Sequence, residues 1–125
     1  MDVVFVVDSS GSIGEGNFAI VKEVIQNLIG HFSVSAVHAR IGIVQYATNA
    51  RIIYSLRQSQ RFGFRRLEKR VKNLFYTKGG TKTGKGLSLA HKMLRRSKRR
   101  LHGKFLKHKQ VFFITVFIST AYKDL

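Results

Sequence analysis

Asp8, Ser10 and Ser12 alternate within the stretch VVFVVDSSGSIG, residues 3–14, so a loop can turn all three side chains toward one point. One carboxylate and two hydroxyls are hard oxygen ligands, suited to Mg2+ or Mn2+ with water in the remaining octahedral positions. The same residue types lead the preferred helix N-caps, where their oxygens accept backbone N–H bonds. Taken by themselves, these residues fit a cap ahead of the helix-like segment Asn17–Ile29 better than a metal site. Catalytic chemistry finds little support elsewhere. The five histidines, His31, His38, His91, His102 and His108, fall at no metal-ligand spacing, and no nucleophile–base pair is visible. Asp8 is the only acid with a defined site context, so paired-carboxylate catalysis, and with it an enzyme, is not expected.

Several elements must position that cluster. Val3–Val7 is an unbroken β-branched and aromatic run, the pattern of a strand buried on both faces. Asn17–Ile29 places Phe18, Val21, Ile25, Leu28 and Ile29 on one helical face, with Gly30 as its expected stop. Ala39–Tyr46 and Ala50–Leu56 read as two strands of a hairpin joined through Thr48 and Asn49. Phe64–Phe75 and Gly84–Arg99 have helical spacing, Tyr76–Gly80 is a loop, Arg95–His108 reads as a solvated helix end plus loop, and Val111–Ile118 is a strongly apolar fourth strand. Strand, helix, strand, strand, helix, helix, strand predicts an α/β three-layer sandwich of Rossmann-like type, with a mostly parallel sheet and one antiparallel edge strand. Ligands of such sheets sit at the carboxyl ends of the strands, where Asp8–Ser12 lies.

Composition bounds the partners. At 125 residues the chain is one domain, its 44% apolar content is that of a globular protein, and no apolar run reaches the ~20 residues of a membrane span. The absence of cysteine excludes disulfides and thiolate metal sites. The formal charge is +17, and residues 57–109 hold 19 of the 23 Lys and Arg against a single acid, Glu68. Such a field attracts polyanions without choosing among them. The densest run, RRSKRRLHGKFLKHK at 95–109, offers Arg95, Arg96, Lys98, Arg99, Arg100, Lys104, Lys107 and Lys109 to a sulfated glycosaminoglycan of the heparin type. Phe105 is its only aromatic, which disfavours nucleic acid as the partner. GGTKTGKG at 79–86 nearly matches a phosphate loop, but Gly86 replaces the Mg2+-holding hydroxyl and a helical pattern precedes it, so nucleotide binding is not expected.

Context changes the reading of Asp8–Ser12. DSSGS at the end of a buried first strand, followed by RIGIVQYATNARIIYSL at 40–56 and YTKGGTKTGKGLSLA at 76–90, resembles the von Willebrand factor type A family. The wording is similar to extracellular matrix members: collagen VI type, fibril-associated collagens and matrilins. The resemblance implies a metal-ion-dependent adhesion site in which Asp8, Ser10 and Ser12 line the ion and Thr81 contributes a fourth oxygen. It further implies an extracellular protein-binding domain, although the run that follows Met1 and Asp2 reads as a strand and not as a secretory leader.

Two departures stand out. The family's fourth strand typically ends in an Asp beside the metal, and here ITVFIST places Val116 there. Lys82 and Lys85 flank Thr81, and both features oppose a cation, so Mg2+ or Mn2+ is expected to bind weakly or not at all. The same two lysines would instead meet an acidic protein partner. The family's domain also continues beyond this point, so residues 1–125 read as a single domain incomplete at its C-terminal end, with the fourth strand an exposed apolar edge.

Overall fold

The computed structural model describes residues 2–35, 39–96, 100–101, 104–105 and 109–114, with side chains for 2–32 and 39–96. The main sheet contains β1 (Asp2–Asp8), β2 (Arg40–Tyr46), β3 (Ala50–Tyr54) and β6 (Lys109–Ile114) in the order β3-β2-β1-β6. β1 runs parallel to both β2 and β6, and β3 is antiparallel to β2. The expected mostly parallel sheet with an antiparallel edge is therefore present. The chain first moves from β1 to β2 on one side and later adds β6 on the other, so the strand order reverses at the carboxyl end of β1. Crevices for ligands form at such points.

Every residue of β1 is buried because both sheet faces are covered. Val3, Phe5 and Val7 point to one side, where they meet α1 (Glu15–Ser35) through Phe18, Val21, Ile25 and Ile29 and α2 (Leu56–Lys72) through Leu67 and Val71. Val4 and Val6 point to the other, against Ala90, Met93 and Leu94 of α3 (Thr83–Arg96). Gly86 lets α3 come this close, since a Cβ there would lie 2.7 Å from the Tyr46 ring and 3.1 Å from Val6. The residue that breaks the phosphate-loop pattern thus has a packing role.

Several boundaries differ from expectation, among them the end of α2 at Lys72 and not at Phe75. Gly30 does not stop α1, because Phe32 extends the buried stripe by another turn and packs 6.3 Å from the Phe5 ring. β3 ends at Tyr54, not at Leu56, and α2 begins eight residues before Phe64. Ser55 caps that helix by accepting from the Gln58 N–H at 3.1 Å, while the Gln58 side chain accepts from the Ser55 N–H at 2.8 Å. This reciprocal capping box satisfies two orphan donors. Gly63 then bends α2 with φ 73° and ψ −164°, backbone space almost restricted to glycine, and the regular apolar periodicity starts just beyond it. Gly63→Ala has free space around its Cβ, so the backbone alone resists it. The expected loss is about 1–3 kcal/mol in urea denaturation.

Finally, within the expected helix end and loop at 95–108, β4 (Arg100–Leu101) pairs antiparallel with β5 (Lys104–Phe105). β6 pairs with β1 alone among the described residues, and so forms one border of the sheet. Residues 115–118 of the expected fourth strand lie outside the described residues.

Candidate functional site

The carboxyl end of β1 is built from three loops. Asp8 is the last residue of β1 and is buried, and its Oδ1 accepts the Ser10 N–H at 2.8 Å. This bond folds the chain back, bringing Ser10 Oγ within 3.0 Å of Ser12 Oγ. Ser10 is buried and Ser12 is exposed, so the hydroxyl pair spans from the interior to the rim. The alternation therefore does gather Asp8, Ser10 and Ser12, although no helix is capped by them directly, since α1 starts at Glu15.

The second loop, residues 73–82, is tied to the first by residues that alternation alone passed over. Ser9 points away from the cluster and is fully buried. Its Oγ accepts the Thr77 N–H at 2.9 Å and Gln45 Nε2 at 2.9 Å, and lies 2.8 Å from Thr77 Oγ1. The Tyr76 hydroxyl divides its proton between the carbonyls of Ser10 (2.9 Å) and Gly11 (3.1 Å) and accepts the Gly14 N–H at 3.1 Å. Gly11 N–H donates to the Gly79 carbonyl at 3.0 Å. Thr81, exposed, sits two residues beyond that contact, on the loop held against Asp8–Ser12.

The third loop is the β2–β3 turn. Gly80 N–H donates to Thr48 Oγ1 at 2.8 Å, and Lys82 N–H donates to the Ala47 carbonyl at 2.8 Å. Lys85 was expected to raise the potential beside Thr81, but its ammonium reaches the Thr48 carbonyl at 3.2 Å and Asn49 Oδ1 at 3.3 Å. A cleft of about 310 Å³ opens between this turn and Thr77–Gly79.

Tyr46 completes the floor. It faces Asp8 across the β1–β2 register, is almost fully buried, and hydrogen-bonds the Asp8 carboxylate. Burial pushes its phenol up to about 12. A hydrogen bond from Thr83 opposes that shift, and the charge and hydrogen bond of Asp8 add to it. Tyr46 thus remains a protonated donor to Asp8 at physiological pH. Both Ser9 and Tyr46 were legible as polar residues at strand ends, but their partners depend on how three distant loops meet.

The donor types at Asp8, Ser10, Ser12 and Thr81 fit a hard divalent ion. Asp8 is the one carboxylate among the described residues of this cluster, it already accepts from Ser10 and Tyr46, and Lys82 lies on the adjoining loop. Among the described residues no three His, Cys, Asp or Glu side chains converge. Val116 lies outside the described residues, as do Lys98, Arg99 and Lys107 of the basic run, while Arg100, Lys104 and Lys109 are described only in their backbone. Arg95 and Arg96 are exposed in the last turn of α3.

The profile of the von Willebrand factor type A domain matches residues 2–116. Matrilin-2 of Mus musculus is 38% identical over 106 residues, covering 82% of this chain and 10% of that protein. The collagen alpha-4(VI) chain of Mus musculus is 38% identical over 86 residues, covering 69% of this chain and 4% of its own length. Among solved structures, proximal thread matrix protein 1 from the mussel byssus superposes with a TM-score of 0.71 at 21% identity, over 91% of this chain and 30% of that one. The chain thus spans a small part of the relatives it matches. Profile, sequence relatives and fold agree, and the chain belongs to the von Willebrand factor type A domain family.

Proposed function

We propose that this domain is a non-catalytic, extracellular protein-binding module that contacts an acidic partner through the face formed by Asp8–Ser12 and Thr77–Lys85. The supporting observation is the tying of three loops around the oxygen cluster at the strand-order reversal, which makes a rigid, polar contact face. Its sequence relatives are proteins of the extracellular matrix, in keeping with an adhesive role there. Ser10, Ser12 and Thr81 present hydroxyls, Lys82 supplies positive charge for a carboxylate, and Lys85 adds to it only from the β2–β3 turn. A bound Mg2+ or Mn2+ would add a Lewis-acidic centre for that carboxylate, with Asp8, Ser10, Ser12 and Thr81 holding it. With Asp8 the one carboxylate of the cluster among the described residues, the ion is expected to add little.

Isothermal titration with Mg2+ tests the charge argument. The native chain is expected to bind more weakly than about 1 mM, the low end of extracellular cation modules. Val116→Asp is expected to tighten binding at least about tenfold, equivalent to ~1.4 kcal/mol. No gain in the variant contradicts the explanation from charge.

A second reading has its own support. Arg95 and Arg96 are exposed, and among the described residues no acid lies within ion-pair distance of either. The run 95–109 then serves as a site for a sulfated glycosaminoglycan, and salt-sensitive retention on heparin that Arg95→Gln/Arg96→Gln weakens is its expected mark.

A further inference from the structure

The strongest unexplained charge on the described surface lies on α2, away from both regions above. Its 17 residues carry seven Lys and Arg against one acid, Glu68. An open groove of about 330 Å³ runs along this helix beside Tyr54, and Arg66, Lys69 and Arg70 line it together with Phe62 and Asn73. Among the described residues the one ion pair is Asp2–Arg40, so no acid there lies within ion-pair distance of these three cations. Three cations that have no ion-pair partner among the described residues converge on a concavity, which suits an anion.

The groove is also held in shape. The Arg66 guanidinium lies 4.0 Å over the Phe62 ring, and Arg61 covers the same ring at 5.2 Å. The Tyr54 hydroxyl reaches the carbonyls of Gln58 (3.2 Å) and Gly63 (3.1 Å), pinning the bend that shapes the helix. Burial pushes the Tyr54 phenol up, while the charges of Arg66 and Arg70 pull it down, in accord with both guanidiniums facing the groove.

The class of anion follows from what the groove lacks. Single-stranded nucleic acid needs open aromatic faces for stacking, and Phe62 is already covered by two guanidiniums. A lipid surface needs an apolar stripe to insert, and Phe62 is the one large apolar side chain exposed on α2. A flexible chain of sulfates needs neither. Residues three and four apart stand about 5–6 Å from each other at their Cβ atoms, which sets Arg66 beside Lys69 and Arg70 on one helix face for successive sulfates. The choice of polymer rests on the extracellular reading above. The charge and shape do not.

We propose that the α2 groove, with Arg66, Lys69 and Arg70 as its cations, is a binding site for a sulfated glycosaminoglycan chain. It is separate from residues 95–96, because α2 packs with α1 on one face of the sheet and α3 packs on the other. Heparin binding by the full chain, measured across a salt series, tests this. Arg66→Gln/Lys69→Gln/Arg70→Gln replaces exposed side chains and leaves the core intact. It should weaken binding at least about tenfold and lower the salt slope by about two to three, near one per cation removed. Arg95→Gln/Arg96→Gln/Lys98→Gln removes the same charge and should lose much less, and Asp8→Ala should lose nothing. Equal losses in the two triple variants overturn the proposal, since net charge then explains binding. Loss confined to the second variant also overturns it and leaves the 95–109 reading standing. Equal competition by single-stranded DNA at matched charge overturns the polysaccharide assignment.

Discussion

Asp2→Ala is expected to destabilise the domain by about 3–5 kcal/mol, a large part of the 5–15 kcal/mol typical of a whole domain. Asp2 and Arg40 are register partners at the start of β1 and β2. Their side chains are each 3% exposed and meet bidentately, Nε to Oδ1 at 2.9 Å and Nη2 to Oδ2 at 2.7 Å. Arg40 Nη1 also reaches Gln60 Oε1 at 3.0 Å, which joins the pair to α2. Arginine does not deprotonate in proteins, so removing the carboxylate leaves a full charge in the interior. Replacing both partners with apolar residues of similar size removes that charge as well. The pair Asp2→Leu/Arg40→Met should therefore recover most of the loss. Urea denaturation of the two single variants and the double variant reads this directly. A double variant as unstable as the singles contradicts the assignment.

Ser9→Ala is expected to cost about 2–4 kcal/mol and to loosen the Thr77–Lys82 loop. One buried hydroxyl holds the Thr77 N–H, the Thr77 side chain and Gln45 Nε2. Alanine removes the acceptor of the Thr77 N–H and one of the two acceptors of Gln45 Nε2, and a buried donor left unsatisfied costs about 1–3 kcal/mol. Gln45 keeps its bond to the Phe75 carbonyl at 2.6 Å, and Arg51 still donates to its Oε1, which limits the loss. Amide exchange should rise at Thr77–Lys82 more than in β1. A uniform rise across the sheet would mean that Ser9 supports the core and not the loop.

The sequence makes the main layers plain because their apolar spacing is regular. The run Val3–Val7 is buried on both faces, α1 buries Phe18, Val21, Ile25 and Ile29, and the β2–β3 hairpin closes through Thr48 and Asn49. What escapes is fixed by contacts between distant segments. Phe32 carries α1 beyond Gly30 because Phe5 waits beneath it. The first turns of α2 bury only Leu56 and Ser59 before the bend, too few for a periodic pattern, and only the Ser55–Gln58 capping box announces them. Ser59 is buried for a further reason. β3 ends opposite Ile43, and the Ile41 N–H beyond it donates to Ser59 Oγ at 3.0 Å.

The candidate site divides the same way. Asp8, Ser10 and Ser12 are legible because their alternation is local. Ser9, Tyr46 and Tyr76 act across 36 to 68 residues of chain, through the register of β1 with β2 and the seating of the 73–82 loop. Lys85 shows the opposite case. Its position beside Thr81 is clear from the sequence, but its ammonium turns to the β2–β3 turn.

The claim that this face meets an acidic partner, with little help from an ion, is tested most directly by amide chemical-shift mapping. The chain is titrated with a short glutamate-bearing peptide, first in EDTA and then in excess Mg2+. Shifts gathered at residues 8–12 and 77–85 in both conditions are the predicted result. Shifts gathered on α2 or at 95–109 instead, or shifts at the upper face that appear only with Mg2+, would contradict it.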